Sequence, residues 1–296
     1  EKKIYVLEDA WHTSLIVSSK KVNLDMKTII FNYSSELLEK LNGLHIVVRF
    51  KDVASFMQNH KFCKRCNHVD AFVIDLPLSS ISQIDFNENW KDVDSPIVLN
   101  VYNIGDIDFV FHNLYLLREL EMRIFLSSSF EGNYYGLKIL SSLGIDCGLL
   151  IQQERPFNDD LFTDLASYYF LSPVPHAKIE PFNYMADKIT DEHITPFSHV
   201  YFKDDNYYLL MDENLKLYSS ESGQYICSLS DFNEEHEHER MVYHKMGTYY
   251  LDQCCKCSAF RICSGIMKGL SSKCEETMTA CLDDCLIFHN IQCKKR

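Results

Sequence analysis

The chain has 296 residues, of which 46% are hydrophobic and 13% aromatic, and its formal net charge is −13. This composition excludes an intrinsically disordered chain, and the acidic balance argues against a nucleic-acid surface and against binding to an anionic membrane. The length suits one large domain or two to three smaller ones. No run of about 18 apolar residues occurs, so no membrane-spanning helix is expected.

Residues 1–68 are predicted to form a small α+β unit. β-branched or aromatic runs at 3–7, 14–17, 28–31 and 45–50 predict strands, and 34–41 predicts a helix with Ser34 at its N-cap. Two roles fit such a unit. It is either a lid over the sheet that follows or a docking module that offers a strand edge to a guest peptide.

Residues 69–195 predict alternating strands and helices. Strand-like runs lie at 71–76, 97–102, 123–126, 146–151 and 177–179, and apolar residues recur every three to four positions around Leu117, Leu140 and Leu165. This alternation predicts βαβ units and a parallel sheet. Five strands are too few for a closed eight-stranded barrel, so we expect an α/β fold with an open, partial βα barrel.

Residues 196–296 predict a β-hairpin meander followed by a cysteine-rich domain. Turn-forming residues separate four short runs, at 199–202, 207–211, 215–218 and 225–229. A charged helix is predicted over 233–245. Its His236 and His238 are two residues apart, so they would face different sides of the helix and would not share a metal ion.

Eight of the twelve cysteines lie between residues 254 and 293, and Cys254, Cys257 and Cys263 stand in a C-x2-C-x5-C spacing. A C-x2-C pair brings two thiolates to one side of a turn, and further cysteines complete the four-thiolate sets of iron–sulfur clusters. The alternative is disulfide bonding in a secreted protein. The chain length, the adjacent Cys254–Cys255 pair and the C-x2-C spacing favour metal ligands in a reducing cytoplasm.

This segment resembles the SPASM domain of radical SAM peptide maturases. The most specific part is the run CSAFRICSG at 257–265, which follows a β-hairpin near the carboxyl end of a βα-repeat chain. The runs LGIDCGLLI at 143–151 and KIEPF at 178–182 resemble the partial barrel of that family. The resemblance spans residues 69–293, although only the cysteine run is specific.

The resemblance implies an auxiliary [4Fe–4S] cluster and a role in the maturation of ribosomal peptides. The implied ligands are Cys254, Cys257, Cys263 and a later cysteine: Cys285 stands at about the usual family distance, with Cys274 and Cys281 as alternatives. The later cysteines could instead form a second, atypical site. Four thiolates also suit zinc, which would make the segment a structural site without redox chemistry.

Two positions depart from the family pattern. Met267 stands where a further cysteine is common, and Ser219 stands where a cysteine usually ends the preceding hairpin. These losses would remove ligands of one auxiliary cluster and spare the other. The radical SAM signature C-x3-C-x2-C is also absent: Cys63 and Cys66 come nearest, with Asn59 in place of the first cysteine.

The sequence is therefore identified as a pseudo-radical-SAM member of the family. It names no nucleophile, general base or cofactor loop, so no autonomous catalysis is predicted. We expect an accessory protein that binds a precursor peptide or a partner radical SAM enzyme. The alternative is a zinc-stabilised or disulfide-bonded module that binds a protein or peptide and has no redox role.

The four cysteines outside this segment have other interpretations. Cys63 and Cys66, with His60 and His68 nearby, form either half of a zinc site, a redox pair or two unlinked thiols. Cys147 lies in an apolar run and is predicted to be a buried small side chain. Cys227, in the last strand of the meander, is either buried in the same way or a displaced ligand.

Overall fold

The computed structural model describes residues 27–41, 43–66, 68–151, 157–191, 195–232, 253–267 and 270–295. In this part of the chain the fold is α/β, as predicted, with ten strands in a single, mostly parallel sheet. The strands predicted at 3–7 and 14–17 and the helix predicted at 233–245, with His236 and His238, lie outside the described residues.

The described elements alternate along most of the chain. The strands are β1 Thr28–Asn32, β2 His45–Phe50, β3 His68–Ser80, β4 Ile97–Asn103, β5 Met122–Ser127, β6 Cys147–Leu150, β7 Ile179–Glu180, β8 Tyr208–Met211, β9 Lys216–Ser219 and β10 Tyr225–Ser228. The α-helices are α1 Ser35–Lys40, α2 Val53–Cys66, α3 Ile107–His112, α4 Leu114–Glu119, α5 Gly132–Ser142, α6 Asp159–Leu171, α7 Phe182–Lys188, α8 Phe260–Cys263 and α9 Cys274–Lys295.

The strand order across the sheet is β10-β9-β8-β1-β2-β3-β4-β5-β6-β7. From β1 to β7, strands that follow one another in sequence also pair in parallel. β8 then returns to the opposite side of the sheet and pairs in parallel with β1. β9 and β10 continue the sheet as the predicted antiparallel hairpin. Eight parallel strands thus lie side by side, with β7 and β8 at the two ends of the parallel run.

The sheet crosses both domain boundaries that the sequence suggested. β2 pairs with β3 across residue 68, and β8 pairs with β1 across residue 195. Within the described residues the βα pattern is present from Thr28 onwards. Because β1 and β2 each have a strand on both sides, neither of these described strands has an edge that a guest peptide could extend. Both strands lie inside the sheet, between β8 and β3.

Local sequence rules explain where several helices begin. The Ser34 hydroxyl accepts a hydrogen bond from the backbone N–H of Leu37, as predicted for an N-cap. Asn158 caps α6 in the same way, because its side-chain oxygen lies 3.1 Å from the backbone nitrogen of Leu161. These caps satisfy backbone donors that the first turn of a helix leaves unpaired, so they fix its first residue.

The two faces of the sheet are covered differently. Alternate strand residues, such as Val48 and Phe50 of β2, face the helices and belong to the main hydrophobic core. The residues between them point to the other side, which we call the inner face. Its apolar part is a small buried cluster of Ile30, Val47, Ala71 and Val73, against which Val98, Phe202, Tyr208 and Leu210 pack.

Most of the predicted elements within the described residues are confirmed, but the strand predicted at 199–202 is wrong. That segment forms a 3-10 helix, Phe197–Tyr201, and ends at Phe202 in the left-handed region with φ 58°. Its aromatic side chains are partly or fully buried because the segment packs on the inner face, not because it pairs with a strand. The helix α2 and the long helix α9 were not predicted from the sequence.

Candidate functional site

Two consecutive turns carry the first three predicted ligands. The backbone N–H of Cys257 donates to the carbonyl oxygen of Cys254 at 3.0 Å, and that of Cys263 donates to Ala259 at 2.8 Å. Ser264 then ends α8 with a left-handed φ of 48°. These turns fold the C-x2-C-x5-C run back on itself, so Cys254 and Cys257 come close enough to Cys263 to raise the pKa of its thiol.

Backbone N–H groups point at two of these sulfurs. The Cys257 sulfur accepts hydrogen bonds from the backbone of Ala259 and Phe260, and the Cys263 sulfur accepts from Gly265 and Met267. Such donors favour a thiolate and lower the pKa of the thiol, but burial has the larger effect. Burial raises the pKa of Cys257. It is also the main cause that raises the pKa of Cys263 to about 11. Both thiols are therefore neutral near pH 7.

Of the three alternatives for the fourth ligand, Cys274 lies beside the run. It stands at the first residue of α9, and its charge contributes to the raised pKa of Cys257, as does that of Glu275. Cys281 and Cys285 lie further along α9, with no exposed surface. Burial raises the pKa of Cys285 to about 12, and this side chain lies near Tyr169 of α6. The helix thus buries Cys281 and Cys285 in the core.

Within the described residues, no three histidine, cysteine or carboxylate side chains converge in an arrangement that could hold a metal ion. The Cys255 side chain lies outside these residues. The chemistry of the donor set nevertheless fits a thiophilic metal, because Cys254, Cys257, Cys263 and Cys274 supply only sulfur. A metal would have to draw these thiols together and displace their protons, so its binding would strengthen as the pH rises.

The remaining cysteines lie apart from this set. Cys147 is fully buried in β6, 3.6 Å from the carbonyl oxygen of Leu137, which confirms the predicted core thiol. Cys227 is also buried. Cys63 is buried in α2, one turn from the buried His60, whose pKa is lowered chiefly by burial. The Cys66 side chain lies outside the described residues.

A group of charged and amide side chains on the inner face was not predicted from the sequence. Arg123 of β5 pairs with Glu180 of β7 at 3.4 Å, and Asn100 of β4 donates to Asp75 of β3 at 2.5 Å. Glu180 is only 2% exposed, so burial raises the pKa of its carboxyl even though Arg123 acts in the opposite direction. A polar residue between apolar neighbours in each strand was the signal that could have identified this group.

The segment after α7 lies across the inner face. The Tyr201 hydroxyl donates to the carbonyl oxygen of Leu149 in β6 at 2.8 Å, and its ring packs on Phe125 of β5. The next residue, Phe202, packs on Tyr208 of β8 with ring centroids 5.4 Å apart. The neighbouring residues Tyr201 and Phe202 therefore contact opposite ends of the parallel part of the sheet, near β6 and at β8.

Aromatic rings also connect the two ends of this run. Glu180 of β7 accepts a hydrogen bond from the backbone of Tyr184 at 3.0 Å. The Tyr184 ring stacks on His199 with centroids 5.6 Å apart, and His199 lies 5.2 Å from the ring of Tyr208 in β8. These contacts link β7 to β8 through Tyr184 and His199.

Comparison of the chain with protein-family models, with curated proteins and with solved structures finds no match. In the described part of the chain, no helix is both long enough and apolar enough to cross a bilayer.

Proposed function

We propose that this chain is an accessory protein in ribosomal peptide maturation. It carries an iron–sulfur cluster on its carboxyl-terminal cysteines and binds a precursor peptide or a partner radical SAM enzyme, in the cytoplasm, without cleaving S-adenosylmethionine itself. The observation that carries the proposal is the folded turn that places Cys254 and Cys257 near Cys263, with Cys274 near Cys257; the Cys257 and Cys263 sulfurs accept backbone hydrogen bonds. A cluster bound there would supply electron transfer.

The arrangement of the sheet supports the family-like architecture. In a flat sheet β7 and β8 would be separated by seven spacings of about 4.8 Å, which is about 34 Å. The contacts from Glu180 through Tyr184 and His199 to Tyr208 connect them over a much shorter path. The parallel strands must therefore curve towards one another, which supports an open βα barrel followed by a hairpin and a SPASM-like segment.

The missing radical chemistry has structural support as well. In radical SAM enzymes the three cysteines of the signature follow the first barrel strand. Here only Tyr33 and Ser34 separate β1, the first described strand, from α1. The nearest cysteine pair, Cys63 and Cys66, instead lies on the last turn of α2. The proposed role is consequently that of a binding and cluster-carrying partner.

Anaerobic purification, with measurement of iron, acid-labile sulfide and visible absorbance, tests the cluster. We expect the single variants C257S, C263S and C274S to lose it, because each removes a proposed ligand. C293S is the matched control, since Cys293 is exposed at the end of α9. C281S and C285S test the other two candidates for the fourth ligand, and we expect both variants to retain the cluster.

A colourless, metal-free wild-type protein under these conditions would rule out the cluster. Stoichiometric zinc without visible absorbance would replace it with the zinc-stabilised binding module, which uses the same four thiols. Capture of a radical SAM enzyme or a precursor peptide from an oxygen-free lysate tests the accessory role separately.

A further inference from the structure

We propose that the inner face binds an oxyanion, a carboxylate or phosphate group of a ligand, between Arg49 and Lys203. This site is independent of the cysteine segment and of the function proposed for it. It follows from the placement of two cations at the carboxyl end of the parallel strands.

Arg49 is the first of these cations. It lies in β2 between Val48 and Phe50, which face the main core, so its side chain extends from the inner face next to the small cluster around Val47. Its Nε atom is buried and has no hydrogen-bond partner. Among the ion pairs of the described residues, none includes Arg49. A buried guanidinium nitrogen without an acceptor is costly, because it has lost its water.

Lys203 is the second cation. The residue before it, Phe202, packs on the same cluster as Val47 and Val73, and Val73 is the residue paired with Arg49 across β2 and β3. Lys203 is exposed to solvent. The pKa of its amine is nevertheless lowered, first by partial desolvation and then by the charge of Arg49. Two like charges thus stand near each other.

Neither Arg49 nor Lys203 belongs to an ion pair of the described residues. On the inner face the Glu180 carboxylate pairs with Arg123, whereas the partner of Asp75 is the neutral amide of Asn100. Two neighbouring cations outside these ion pairs are unexpected in a chain with a net charge of −13. An oxyanion would supply the acceptor that Arg49 lacks, because guanidinium groups match carboxylate and phosphate geometry.

The position on the sheet is consistent with a ligand site. Arg49 is the penultimate residue of β2, so it lies near the carboxyl end of the strand. Parallel α/β sheets and barrels bind their ligands at this end, where loops after successive strands surround the opening. The segment that carries Lys203 lies on the same face, so it would form one wall of the site.

Isothermal titration with sodium phosphate and, separately, sodium glutarate, each at constant ionic strength against chloride, tests the site. We expect saturable binding of at least one of the two anions by the wild-type protein, and the responding anion identifies the source of the oxyanion. R49Q and K203Q should each weaken this binding at least tenfold, whereas R49K should lose less because it keeps the charge. R65Q and K216Q remove exposed cations elsewhere and should stay within about twofold of wild type.

Thermal unfolding adds a readout that a merely structural arginine would not give. Without added anion, R49Q should unfold at the same temperature as wild type or higher, because it relieves repulsion with Lys203. With the binding anion present, only the proteins that retain both cations should gain stability by mass action. Absence of saturable binding of both anions, or an affinity of R49Q and K203Q equal to that of the wild type, would overturn the proposal.

Discussion

Replacing Gly148 with alanine tests the packing of three adjacent strands on the inner face. Gly148 of β6 lies between Phe125 of β5 and Glu180 of β7 in the strand register. A Cβ atom at Gly148 would lie 2.6 Å from Cε1 and 2.9 Å from Cδ1 of Phe125, and 3.0 Å from Cβ of Glu180. These distances are shorter than carbon–carbon contacts allow, so at least one neighbour must move.

The neighbours have little freedom to move. Phe125 is 1% exposed and its ring packs edge-on against Tyr201, while the Cβ of Glu180 belongs to the backbone frame of β7. Overpacking of this kind costs about 1–3 kcal/mol, and it outweighs the gain of about 0.4–1 kcal/mol from stiffening the unfolded chain. We therefore expect G148A to lower the free energy of unfolding by about 1–2 kcal/mol, as measured by urea denaturation with an unchanged m-value.

A double-mutant cycle with F125L provides the control. Leucine removes the ring atoms that the new methyl group would meet, so G148A should cost much less in the F125L background than in the wild type. A G148A protein as stable as the wild type, or a penalty that F125L leaves unchanged, would show that the strands are not packed as described.

Three further predictions concern other parts of the chain. Asn133 donates to the carbonyl oxygens of Tyr102 and Ser127 at 2.6 and 2.7 Å. N133A should therefore lower the free energy of unfolding, measured by urea denaturation, by about 2–4 kcal/mol. An N133A protein as stable as the wild type would contradict these hydrogen bonds. Between pH 9.0 and about 11 the folded protein keeps a proton on Cys263 that the unfolded chain releases, so the free energy of unfolding should fall as the pH rises. C263A should flatten this pH dependence. An unchanged slope in C263A would show that the thiol is less buried than described. Alkylation of the native protein should label the exposed Cys293 before the buried Cys147 and Cys281, and the reverse order by mass spectrometry would contradict their burial.

Local patterns in the sequence predicted much of the secondary structure. The five strands expected between 71 and 179 are all present, because parallel strands that are buried on both faces appear as short apolar runs. The pairing of β8 with β1 could not be predicted in this way. The two strands are far apart in the chain, and nothing local in either one specifies its partner across the sheet.

Two of the candidates for the fourth ligand also carry a second pattern in the sequence. Met278, Cys281 and Cys285 recur at a spacing of three to four residues, which is the pattern of the buried side of a helix. That pattern is typical of core positions, whereas the family resemblance implies Cys285 as a ligand, with Cys274 and Cys281 as alternatives. Cys274, at the start of the same helix, lies outside this buried stripe and beside Cys257.

The parallel pairing of β8 with β1 also has a consequence during protein synthesis. β1 ends at Asn32, but the strand that occupies its outer side begins only at Tyr208. At translation rates of roughly 5–20 residues per second, the ribosome needs on the order of 10–35 s to make the intervening chain. During this interval the backbone hydrogen-bonding groups on that side of β1 lack the partner they have in the finished fold. A nascent chain halted before residue 208 would therefore present a template for aberrant strand addition.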